Sequence, residues 1–120
     1  MSEIFAFNPL YTNTGNAGTP AGTLQASLTL AATTSAQAVV LPGGNSSCNQ
    51  IQIANQTAAW AYVNFGIAGS VTAATAAASY PVAPGAVVVV SVATEVTGAS
   101  CILAAGATGA SVTFTRGNGL

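Results

Sequence analysis

The chain of 120 residues is one domain's worth of protein, with room for a single core. Charged residues make up only 2%: Glu3, Glu95 and Arg116, with no Lys, Asp or His and a formal net charge of −1. A multidomain enzyme is not expected at this length, and the composition removes most acid–base chemistry and leaves too few cations to displace counterions from a nucleic acid.

Ile4, Phe5 and Phe7 form an apolar cluster that runs into Asn8-Pro9 without regular alternation. Glu3 stands where a secretory leader would carry basic residues, so no export signal is expected. Residues 11–22, opening with Tyr11, are rich in Asn, Thr, Gly and Pro and show no apolar periodicity. An extended N-terminal arm over residues 1–22 is therefore expected, ahead of a folded domain over residues 23–120. Leu24, Ala26, Leu28 and Leu30 then alternate with Gln25, Ser27 and Thr29, which puts the leucines on one face of a half-buried strand.

Gln37-Ala-Val-Val-Leu41 reads as a second strand, closed by the turn-forming Pro42-Gly43-Gly44-Asn45. Ile51 and Ile53, interleaved with Gln50 and Gln52, face the core from a third strand that ends near Asn55-Gln56-Thr57. Trp60-Ala-Tyr-Val-Asn-Phe65 follows at hairpin spacing. Its two faces are both apolar, Val63 and Phe65 opposite Trp60 and Tyr62, so each must be covered, by the fold itself or by a neighbour.

Residues 69–79 are mostly Ala, Thr and Ser and read as a loop or weak strand. Tyr80-Pro-Val-Ala-Pro-Gly85 predicts a rigid turn into residues 86–92, the most strongly β-forming run. A turn carrying Glu95 leads to Ser100-Cys-Ile-Leu-Ala104 and Ala110-Ser-Val-Thr-Phe-Thr115, which the spacing pairs as a closing hairpin around Gly106-Ala-Thr-Gly109. The glycine-containing tail from Arg116 onward is mobile unless held. About eight short strands at regular spacing predict an all-β chain: a single-domain β-sandwich or jelly roll.

Hydrophobic residues are 51% of the chain, yet 26 of those 61 are Ala, so 35 larger side chains must build the core. Ser, Thr, Asn and Gln outnumber charges 38 to 3, giving a surface that hydrogen-bonds without keeping copies apart. A homo-oligomer or a chain bound within a larger assembly is the consequence. No apolar run approaches the ~20 residues of a spanning helix, and eight scattered aromatics do not make the girdles of a membrane barrel. Cys48 and Cys101 could form one disulfide but are read as free, buried thiols, since a chain without an export signal is made in a reducing compartment. Two Cys and no His cannot close a metal site, and no cofactor motif occurs. Glu3 and Glu95 are read as solvated charges rather than a catalytic pair. Asn45-Ser-Ser47 and Asn55-Gln-Thr57 match the glycosylation pattern by chance. Tyr11, Trp60, Tyr62 and Tyr80 are the side chains suited to an interface; Trp60 and Tyr62 serve the domain's own core or meet a neighbour.

Asn49-Gln-Ile-Gln-Ile-Ala-Asn55, Trp60-Ala-Tyr-Val-Asn-Phe-Gly66, Tyr80-Pro-Val-Ala-Pro-Gly85 and the closing Thr115-Arg-Gly-Asn-Gly119 together resemble the small head-decoration, or cement, proteins of tailed bacteriophages. The similarity covers roughly residues 24–119 and consists of strand-and-turn patterns. It implies a jelly-roll-like β-sandwich on the outer capsid surface of the virion, made in the host cytoplasm. Such a protein would be a dimer or trimer that clamps neighbouring copies of the major capsid protein. The resemblance carries no catalytic residues. The alternative from another class is a phage fibre or carbohydrate-binding module that stacks a sugar on Trp60 or Tyr80. In the N-terminal arm, Ile4, Phe5, Phe7 and Tyr11 would anchor the chain to its partner or form an ordinary edge strand.

Overall fold

The computed structural model describes residues 8–9, 27–42, 49–93 and 95–118. The side chains expected to anchor the N-terminal arm, Ile4, Phe5, Phe7 and Tyr11, lie outside the described residues, as do Cys48 and Asn45-Ser-Ser47. Among the described residues nine strands make up the regular structure: β1 (Asn8–Pro9), β2 (Ser27–Ala32), β3 (Gln37–Val40), β4 (Gln50–Asn55), β5 (Ala61–Gly66), β6 (Tyr80–Val82), β7 (Val87–Ser91), β8 (Gly98–Leu103) and β9 (Ala110–Asn118). No helix occurs among the described residues.

The strands form two antiparallel sheets. In the larger one β9 is central: β4 and then β7 follow on one side, while β2 and β1 lie end to end along the other. The four-stranded sheet has the order β3-β8-β5-β6. The pairs β2 with β9, β3 with β8, β4 with β7 and β5 with β6 are nested, as in one long hairpin folded over and rolled up. This connectivity makes the chain a β-sandwich of jelly-roll type.

Strand alternation places the core between the sheets. Ile51 and Ile53 of β4, Val112 and Phe114 of β9, Ala61 and Val63 of β5, and Ala99, Cys101 and Leu103 of β8 are all buried and pack in one cluster. The leucines of β2 are half-buried on the inner face, as the alternation requires, and Leu30 packs against that cluster. Each fully buried Ile, Val or Phe contributes about 1.5–3 kcal/mol by leaving water.

Four local expectations change. β4 and β5 lie in different sheets, so the turn between them is an arch across the sandwich and not a hairpin. The same holds for β8 and β9, whose expected closing hairpin is a crossing between sheets. Tyr80-Pro81-Val82 is an edge strand before the turn, because an edge tolerates a residue that cannot donate to a ladder. The turn proper is Ala83-Pro84-Gly85-Ala86, closed by Ala86 N–H to Ala83 O at 3.0 Å, with Gly85 at φ 72°. Proline at its second position and a positive φ at its third make it type II. Finally, Arg116, Gly117 and Asn118 continue β9 instead of forming a loose tail, held by β4 on one side and by Asn8–Pro9 on the other.

Candidate interaction surface

Alternation on β5 sends Ala61 and Val63 inward and Tyr62 and Asn64 outward. The ladder with β8 extends one residue beyond β5, through Ala104 N–H to Trp60 O at 2.9 Å, so Trp60 shares the outer face with Tyr62. Tyr62 is flanked on that face by Ile102 of β8 and Pro81 of β6. Trp60 is 46% exposed, Pro81 is exposed, and Tyr62 and Ile102 are half-buried. The structure thus brings two of the sequence-predicted interface residues together on one rigid sheet. Tyr80 is not with them: it pairs with Val63 and so points to the inner side of the edge strand, where it is 44% exposed.

The other half of this outer face is covered. Residues 67–79 fold back over β5 and β8 as a flap, in which Ala74 N–H donates to Ser100 Oγ at 3.0 Å and Asn64 Nδ2 donates to Thr72 O at 3.2 Å. Ser100 and Ala74 are both 2% exposed as a result. Gly98 lets the flap approach, because a Cβ there would lie 2.8 Å from the Cα of Ala68. The two apolar faces of β5 are therefore satisfied unequally: the inner by the core, the outer by the flap over Asn64 and by solvent over Trp60.

The outer face of the larger sheet is uncharged and carries hydroxyls in cross-strand rows. Ser27 Oγ and Thr115 Oγ1 are 2.7 Å apart, and Thr29 Oγ1 and Thr113 Oγ1 are 3.0 Å apart. Gln52 and Val89 extend the first row, Ala54 and Val87 the second.

Two of the buried polar side chains hold connections in place. Asn55, 1% exposed, donates through Nδ2 to Ala59 O, Val82 O and Ala83 O at 2.9–3.1 Å, and its Oδ1 accepts from Thr57 N–H at 3.0 Å. It ties the β4–β5 arch to the end of β6, which leaves its amide no room for a glycan. Arg116 is fully buried, its Nε donating to Pro42 O at 2.7 Å and its Nη2 to Val96 O. Sequence reasoning missed this residue, although parity was a signal, since Val112, Phe114 and Arg116 alternate onto the same inner face. Cys101 is a buried free thiol, and burial pushes it up from 9.0 to about 11.

A shallow depression of about 350 Å³, lined by Ala58, Ala59, Ala105, Gly106, Ala107 and Thr108, lies at the end of the sandwich where Trp60 is found and offers no charged group. Among the described residues no group of three or more His, Cys, Asp or Glu could hold a metal ion, and no helix is long and apolar enough to cross a membrane. No protein-family model, curated protein or solved structure matches the chain.

Proposed function

We propose that this chain is a structural virion protein, a decoration protein that binds the outer surface of a phage head and stabilises joints between major capsid subunits. The observation that carries the reading is the aromatic–aliphatic strip of Trp60, Tyr62, Ile102 and Pro81, displayed on the outer face of a sheet in a sandwich whose described charged side chains are Glu95 and the buried Arg116. A large aromatic left half in water costs solvation energy that a partner surface recovers, at ~25 cal/mol per Å² of apolar area. Aromatic anchors of this kind dominate well-packed interfaces. The sequence resemblance to cement proteins supports the major capsid protein as the partner. A protein that binds only the assembled shell stabilises that shell by mass action, with no catalysis needed.

The test is cosedimentation with empty heads of the phage that encodes the chain. The Trp60→Ser, Tyr62→Ser double variant is expected to keep its circular dichroism spectrum, because both side chains lie on the outer face. It is expected to lose about 30-fold or more in affinity, the equivalent of one ~2 kcal/mol anchor. A wild-type chain that ignores heads but binds on a glycan array, with Trp60→Ser abolishing that binding, would transfer the strip to the carbohydrate-binding reading.

A further inference from the structure

The phase of the β4–β7 ladder decides what the outer edge of β7 presents. Asn55 N–H donates to Ala86 O at 2.9 Å and Val92 N–H to Asn49 O at 2.8 Å, one bond at each end of the ladder. Hydrogen-bonded pairs alternate with non-bonded pairs in an antiparallel ladder. Ile53 with Val88 and Ile51 with Val90 are therefore the bonded pairs, and the N–H and C=O groups of Val87, Val89 and Ser91 point away from β4. Among the described residues no strand lies on that side.

Natural edge strands are usually blunted by a charge, a proline, a bulge or a cover. The edge of β6 has Pro81, and the same phase argument from the Trp60–Ala104 bond turns its ring nitrogen outward. The run Val87-Val-Val-Val-Ser91 has neither a charge nor a proline, and Val87 is 59% exposed. Its facing residues are also self-complementary. In an antiparallel arrangement centred on Val89, Val89 meets Val89 of a second copy and Val87 meets Ser91 of that copy. Each facing residue then both donates and accepts a backbone bond.

We propose that β7 pairs with β7 of a second copy of this chain about a two-fold axis midway between the two Val89 residues, joining the two larger sheets into one continuous sheet. A net charge of −1 per copy raises no barrier to this approach. The two-fold arrangement uses up the β7 edge of both copies and closes at the dimer, whereas docking β7 on the β2 edge of a neighbour is heterologous and propagates into rings or filaments. The dimer is a property of the isolated protein and does not rest on the capsid reading.

The full chain is examined by sedimentation velocity over a concentration series around ~10 μM, where interfaces smaller than the standard size dissociate. The mass is expected to rise from 11.6 kDa to twice that value and stop. Val89→Pro removes a single N–H from the outer edge and none from the β4 ladder; Val89→Lys places two like charges on the axis. Both variants are expected to stay monomeric at concentrations where the wild type is fully dimeric, and Val89→Lys, which keeps every backbone group, serves if the proline variant does not fold. Amide exchange at Val87, Val89 and Ser91 is expected to slow with concentration. Three outcomes overturn the proposal: a wild type that stays monomeric with those amides already protected, which would mean that another part of the chain covers the edge; a mass that grows past the dimer; or a folded Val89→Lys variant that dimerises as the wild type does.

Discussion

Arg116 is the only cation of the chain and is fully buried. Removing a guanidinium from water costs several kcal/mol, and the cost is offset only where charge-assisted hydrogen bonds hold it. Pro42 O and Val96 O provide such bonds from the β3–β4 and β7–β8 connections, so one side chain fastens two loops to the end of β9. Arg116→Ala leaves those carbonyls without their donor and opens a cavity; a loss of about 3 kcal/mol or more in urea unfolding is expected. Arg116→Lys is expected to recover only part of it, since an ammonium lacks the fork that reaches two carbonyls. Cys101 gives a second prediction at this scale. Its thiol titrates from 9.0 when exposed to about 11 in the fold, so above pH 9 the unfolded chain loses a proton that the native one keeps. Stability is therefore fully present below pH 9 and falls by about 1.4 kcal/mol per pH unit between 9 and 11. Denaturant midpoints of wild type and Cys101→Ala, compared across that window, measure the slope, which the variant is expected to lack.

At the scale of elements, the flap of residues 67–79 shows how one glycine decides what covers a sheet. A Cβ at Gly98 would lie 2.8 Å from the Cα and 3.0 Å from the N of Ala68, both backbone atoms, and 2.9 Å from Cγ2 of Val71. Gly98→Ala must therefore lift the flap, and a loss of about 1–3 kcal/mol is expected, with faster thermolysin cleavage within residues 67–79. An unchanged cleavage rate would mean that the flap is not held by this approach. Strand positions were legible from the sequence because alternation reports burial directly, as Ile51, Ile53 and the leucines of β2 show. Pairing was not. The few residues between Asn55 and Ala61 suit a hairpin and an arch equally, and the difference is made by Asn55, whose amide reaches the carbonyls of Val82 and Ala83 at the end of β6, which no local pattern reveals. Trp60 and Tyr62 were legible as interface candidates but not as outward-facing, since both parities of β5 are apolar and only the core composition of β8 breaks the tie. The side of the edge strand that Tyr80 takes was not legible either, because it is set by the pairing with Val63.

For the whole molecule, the near absence of charge sets the response to salt. If the Trp60 strip carries attachment, binding to heads is expected to vary less than about threefold between low and high NaCl, because apolar burial is not screened. A tenfold loss in a titration at high salt would place the contact on charges contributed by the partner. The nested connectivity has a different consequence, in time rather than in space. β9 is the last described strand to be made, yet it is the strand against which β1, β2 and β4 all pair. Ser27 waits for Thr115, 88 residues further along the chain, before its hydroxyl finds a partner. On the ribosome the hairpin of β5 and β6 can close early, while the larger sheet is missing its middle until residues 110–118 have emerged. Until then β4 and β2 expose their inner isoleucines and leucines together, so nascent chains of this protein pass through synthesis with half a core uncovered, and folding is completed only at the end of translation of the sandwich.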